Sequence, residues 1–102
     1  MSTLHTVNKS PFDRASLQTC IRLASKGNAI LLLEDGIYGA IKGSNVAELV
    51  QSSLSDTSIY VLGPDMKARG VDESKLIDGI KVVDYKGFVD LTVENEKVNA
   101  WV

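Results

Sequence analysis

Ala29-Ile-Leu-Leu-Leu33 is an unbroken apolar run set between Gly27-Asn28 and Glu34-Asp35-Gly36. A strand wetted on one face alternates apolar and polar residues, whereas a strand covered on both faces reads as a continuous apolar stretch. The run is also too short for a capped helix and ends in turn residues. It therefore reads as a strand buried on both sides, and such strands belong to parallel sheets with helices above and below.

The pattern repeats on either side of this run. Upstream, Thr3–Val7 reads as a strand, followed by Lys9-Ser10-Pro11-Phe12-Asp13. Ser10 suits an N-cap, Pro11 the first helical position and Asp13 the positive end of a helix. This spacing predicts a helix from Pro11 to about Lys26, with Gly27 closing it. Downstream, Glu34-Asp35-Gly36 reads as a turn, Ile37–Ala40 as a short helical piece and Val46–Leu54 as a helix. Val46, Leu49, Val50 and Leu54 share one face of it. Ser58–Leu62 is a third strand, Pro64–Arg69 a short helix before Gly70, Ile80–Val83 a fourth strand and Tyr85–Val93 the last helix. The tail Asn99-Ala-Trp101-Val102 is assigned no element. The alternation of strand and helix implies an α/β fold, three layers of α/β/α around a mainly parallel sheet of about four to five strands.

Composition limits what the protein does. The chain has 102 residues, which fits one domain spanning 1–102. A net charge of −2, with Lys and Arg interspersed among Asp and Glu, provides no basic footprint for nucleic acid. Its apolar runs are too short to span a bilayer, and Met1-Ser-Thr-Leu-His5 lacks the features of a signal peptide. A single cysteine cannot form an internal disulfide, so the expected compartment is the cytoplasm.

That cysteine, Cys20, is the one catalytic candidate. On a helix at about 100° per residue, with Leu17 at zero, Ile21 falls near 40°, Ala24 near 340°, Leu23 near 240° and Cys20 near 300°. Gln18, Arg22, Ser25 and Lys26 take the opposite side. The thiol thus lies inside the apolar stripe, about ten residues from the expected helix start, and the phase predicts burial. A reactive thiol needs exposure and a helix N-terminus or basic neighbour. His5 is the only imidazole and reads as a satisfied structural histidine, since one His and one Cys make no metal cluster. Asp35, Asp65 and Asp84 all follow strands, where they could line a magnesium pocket or serve as caps and turn formers; the structural role is expected. Lys9-Ser10 could hold an anion at a helix start. Gly36, Gly39 and Gly43 do not make a phosphate loop. Trp101 either packs on its own domain or anchors a partner.

The strand-end segments Leu4-His-Thr-Val-Asn-Lys-Ser-Pro11, Leu31-Leu-Leu-Glu-Asp-Gly36 and Tyr60-Val-Leu-Gly-Pro-Asp-Met-Lys-Ala-Arg-Gly70 resemble those of the TusB/DsrH family of sulfur-relay subunits. Val83-Asp-Tyr-Lys-Gly-Phe-Val-Asp-Leu-Thr92 and Ala100-Trp101 extend the resemblance over the whole chain. It implies an accessory subunit in a hetero-oligomer, a hexamer, with paralogous DsrE/DsrF-like (TusD/TusC-like) subunits. A DsrC/TusE-like acceptor lies downstream, and neither cofactor nor direct nucleic-acid or membrane contact is implied. In this family the persulfide rides on a cysteine of a partner subunit. DsrH members carry a cysteine in the first helix, so Cys20 makes the chain look closer to DsrH and to sulfur oxidation than to TusB and tRNA 2-thiouridine synthesis. Two other readings stay open: Cys20 as a persulfide-accepting site in its own right, and a small-ligand domain of flavodoxin type, which rests on fold analogy.

Overall fold

The computed structural model describes residues 2–102. The strand at Ala29–Leu32 (β2) is buried at every position and lies at the centre of a five-stranded sheet. Thr3–Val7 (β1) and Ser58–Leu62 (β3) flank it, with Lys81–Val83 (β4) at one edge and Lys97–Trp101 (β5) at the other. The order is β4-β3-β2-β1-β5, and every neighbouring pair is parallel. The helices are Ser16–Leu23 (α1), Ala47–Ser53 (α2), Gly63–Ala68 (α3) and Tyr85–Glu94 (α4), with 3₁₀ segments at Glu34–Ala40 and Glu73–Lys75. The expected α/β fold with helices on both faces of a parallel sheet is what the chain forms.

Chirality explains which helix lies where. Right-handed crossovers that step in one direction across a parallel sheet all pass over the same face. The steps β1 to β2, β2 to β3 and β3 to β4 share a direction, and residues from all three connections, among them Leu17, Cys20, Ile37, Val50 and Met66, pack with Val7, Ile30, Leu32, Ile59 and Val61. The one return step, β4 to β5, traverses the whole sheet and puts α4 on the other side. There Leu91 and Phe88 cover Leu4, Ala29, Leu31 and Leu62. Three connections cover one face and a single helix covers the other.

The tail assigned no element contributes Asn99–Trp101 to the fifth strand, which is paired with β1 from Thr3↔Lys97 to Val7↔Trp101. The strand's first four residues are exposed on both faces, so it carries no apolar period that could have revealed it. The first helix is also shorter than expected. Ser10 does accept from the Phe12 amide (3.2 Å), and Arg14 N–H reaches the Ser10 carbonyl (3.0 Å), so one capped turn forms. It does not continue, because Phe12, Asp13 and Arg14 turn outward and give the sheet nothing apolar to hold. The helix proper begins at Ser16, just before the first inward residue, Leu17, and ends at Leu23, three residues before Lys26.

Close backbone approach decides one glycine. Gly36, in the first turn of the 3₁₀ segment, lies directly against β1, and a Cβ there would overlap the Val7 carbonyl. The short helical piece expected at Ile37–Ala40 is the second half of that segment.

Candidate functional site

Cys20 is placed in the second turn of α1 by the spacing of its neighbours and is fully buried. It belongs to the larger core cluster with Leu17, Ile30, Ala40 and Val50. Burial penalises the thiolate and pushes the Cys20 thiol up from 9.0 to about 12. Arg22 is exposed on the opposite side, as its helical phase requires. The sulfur is thus a protonated core atom with neither a route for a reagent nor a charge to activate it.

The carboxyl ends of the strands are where ligands of open parallel sheets sit. The three aspartates there already have partners. Asp35 takes both Arg69 Nε (3.1 Å) and Nη2 (3.0 Å) on one carboxylate oxygen. Asp65 accepts the Glu34 amide at 2.7 Å, which holds Glu34 in a left-handed conformation (φ 48°) where the chain turns into the 3₁₀ segment. Asp84 caps α4 by accepting from Gly87 N–H at 2.8 Å. Among the described residues, no three His, Cys, Asp or Glu side chains are grouped to hold a metal ion. The strand-end aspartates are turn formers and caps, and they tie the 3₁₀ segment, α3 and α4 to the sheet.

Beyond the ends of β3 and β4 lies an open cleft of about 660 Å³, lined by Gly63, Pro64, Met66, Lys67, Val83 and Gly87. Its walls are the starts of α3 and α4. The Asp84 carboxylate at its rim is engaged in the helix cap. Glu73 and Lys67 also line the cleft, and among the described residues they form no ion pair with each other.

His5 and Trp101 form the constellation that sequence reasoning did not assemble. His5 lies on β1 and is buried; Trp101 lies on β5 opposite Val7, two residues beyond Asn99, the partner of His5. Trp101 Nε1–H donates to His5 Nδ1 (3.1 Å), and His5 Nε2 lies 3.0 Å from Asn28 Oδ1. The indole can only donate and the amide oxygen can only accept, so the imidazole is neutral with its proton on Nε2. Asn28 Oδ1 also accepts the Ser25 amide (3.1 Å). This chain of bonds ties the β5 tail, the first strand and the α1–β2 turn together. Trp101 therefore docks on its own domain, and His5 is a satisfied structural histidine. No sequence signal links positions 96 residues apart.

Fold and site together define a small α/β/α domain with a sealed thiol and strand-end aspartates engaged as turn formers and caps. The sequence matches the family described as DsrH like protein over residues 9–98. It is 38% identical to Protein TusB of Pectobacterium parmentieri over 98 residues, covering 96% of this chain and 99% of that protein. Protein TusB of Escherichia coli K12 is 36% identical over 100 residues, with the same coverage. The chain belongs to the TusB/DsrH family of sulfur-relay subunits. Two solved structures share its fold at low identity. The ychN protein of E. coli matches with a TM-score of 0.80 and 18% identity over 98% of this chain and 99% of its own. A protein of unknown function from Methanobacterium thermoautotrophicum matches with a TM-score of 0.78 and 15% identity over 97% of each chain. No helix of the structure is long and apolar enough to cross a membrane.

Proposed function

We propose that this chain is an accessory subunit of a cytoplasmic, hetero-oligomeric sulfur relay in which a partner's cysteine carries the persulfide. The observation that carries the reading is the state of Cys20. A relay thiol must ionise and must be reached by both donor and acceptor. A thiol that is fully buried and held near pKa 12 does neither. The role left to the chain is surface: contacts with paralogous DsrE/DsrF-like (TusD/TusC-like) subunits and a share of the face that receives the DsrC/TusE-like acceptor.

Of the two branches, we infer the one that delivers sulfur toward tRNA 2-thiouridine. The near full-length likeness to proteins named TusB supports it. A cysteine in the first helix points toward sulfur oxidation, but a side chain that acts only as core packing is a weak branch marker.

The test is co-expression with the paralogous subunits of the same organism, loading with a persulfide donor and mass spectrometry of each chain. A gain of one sulfur is expected on a partner and none on this chain, and Cys20→Ala should leave assembly and transfer intact. Sulfur found on this chain and lost in Cys20→Ala, with the complex still formed, would overturn the accessory role. Restoration of 2-thiouridine in a strain lacking its own TusB tests the branch; an assembled complex that restores none places the chain with sulfur oxidation.

A further inference from the structure

Seven large apolar side chains are exposed among the described residues, and five of them lie on α4, β5 and the final residue. Tyr85 (60% exposed), Val89 (58%) and Val93 (79%) are spaced by four along α4, so they form one row. The opposite side of the helix, with Phe88 and Leu91, is the side that covers the sheet. The row therefore faces away from the domain. Val98 of β5, aligned with the core residue Leu4, lies on the same side of the sheet and is 52% exposed. An outward apolar row on the only helix covering this face has no use in the isolated domain.

The charges beside the row identify its occupant. Lys86, Asp90 and Glu94 form a second row, again spaced by four, and all three are exposed. Among the described residues none of them is ion-paired within the chain. When two copies of a helix pack antiparallel about a two-fold axis, each flanking row runs beside the same row of its mate. The apolar row then matches itself: Tyr85 meets Val93 of the second copy and Val89 meets Val89. The charged row also matches itself, with Lys86 against Glu94 at both ends. The centres of the two rows, residues 89 and 90, differ by one residue, about 1.5 Å along the axis. Only the Asp90 pair brings like charges together.

We propose that the outer face of α4 is a self-association surface that pairs two copies of this chain antiparallel through Tyr85, Val89 and Val93. A two-fold contact requires a patch complementary to itself, and both rows meet that condition. One ten-residue helix with a neighbouring valine presents less than the roughly 800 Å² per partner of a standard interface, so the contact falls in the size class of weak, transient associations. The inference stands on α4 and does not depend on which relay the chain serves.

Sedimentation velocity on the full chain over a concentration series tests it, with circular dichroism to verify that each variant is folded. The expected result is a concentration-dependent monomer–dimer equilibrium. Val89→Asp, which faces two carboxylates at the axis, should leave only monomer. Lys86→Glu replaces two attractive pairs with repulsive ones and should weaken the dimer about tenfold. The exchange Lys86→Glu with Glu94→Lys should restore it, because the row is again self-complementary. The exchange also puts the acid at the helix start and the base at its end, which the helix dipole favours. A chain monomeric at every concentration, or a dimer indifferent to Val89→Asp, overturns the surface. Loss of the dimer in Lys86→Glu without recovery in the exchange overturns the antiparallel pairing.

Discussion

The sharpest prediction concerns the rate at which Cys20 reacts with a thiol reagent in the folded protein. The thiol is lifted from 9.0 to about 12 by burial. Near pH 8, a thiol of pKa 9.0 is about one-tenth thiolate, whereas one near 12 is about one part in ten thousand, so ionisation alone slows the reaction roughly a thousandfold. The side chain is also fully buried, so reagent must wait for the core to open. For a domain stable by about 5 kcal/mol, opening limits labelling to several thousandfold below the unfolded rate. The assay is disulfide-exchange labelling with a chromogenic reagent, with and without strong denaturant, followed by a urea series. Protection should be at least about a thousandfold and fall in step with stability. Labelling of the native chain within about tenfold of the unfolded rate would refute the sealed-core placement. The same proton sets a pH dependence. Because the folded pKa is raised, the contribution of the neutral thiol is complete below about 9, where the unfolded thiol ionises. It is lost as pH rises from 9.0 toward about 12, at most roughly 4 kcal/mol over three units. Cys20→Ala should lack this share of the alkaline loss in parallel urea titrations.

Three further outcomes are expected. Trp101→Phe removes the donor to His5 Nδ1 and should cost about 1 kcal/mol in urea unfolding, while Asn28→Ala orphans both His5 Nε2 and the Ser25 amide and should cost more, about 2 kcal/mol; equal stability of either variant with wild type counts against the bond chain. Gly36→Ala drives a methyl into the Val7 carbonyl and should lower stability by 3 kcal/mol or more, roughly the upper range for single substitutions, whereas Gly70→Ala meets open space and carries only left-handed strain of about 1 kcal/mol. Thermal melts that rank the two the other way would contradict the packing at Val7. Asp84→Ala removes the cap of α4 and should cost about 1 kcal/mol, with Asp84→Asn recovering most of it; an Asn variant as unstable as the Ala variant would show that charge rather than capping matters.

Legibility in the sequence followed physical locality. The strands at β1, β2 and β3 and the start of α4 were readable, because apolar runs and an Asp cap signal through residues a few positions away. The burial of Cys20 was readable as well, since helical phase is a local property. The true start of α1 was not. The Ser10 cap forms as expected, yet the turn it caps cannot continue when Phe12, Asp13 and Arg14 have no contact with the sheet. The candidate site behaved the same way. That Asp35, Asp65 and Asp84 follow strands was plain, and the Asp84 cap is local, but the partners of Asp35 and Asp65, Arg69 and the Glu34 amide, were supplied by folding. Without those partners the three aspartates could still have been taken for a metal pocket.

By itself, the sequence determined the class of fold, the family and the fate of its single thiol. A continuous apolar strand admits only two-sided cover, and a cysteine in phase with Leu17 and Ile21 turns inward. Tertiary structure alone decided the fifth strand, the tautomer of His5 and the docking of Trp101. Those depend on residues brought together from opposite ends of the chain by the return crossover of α4. The same crossover left one helix to cover a whole face of the sheet, and with it the outward row of Tyr85, Val89 and Val93. Periodicity reports which positions are alike; only the packed chain shows which of two like faces has something to lie against.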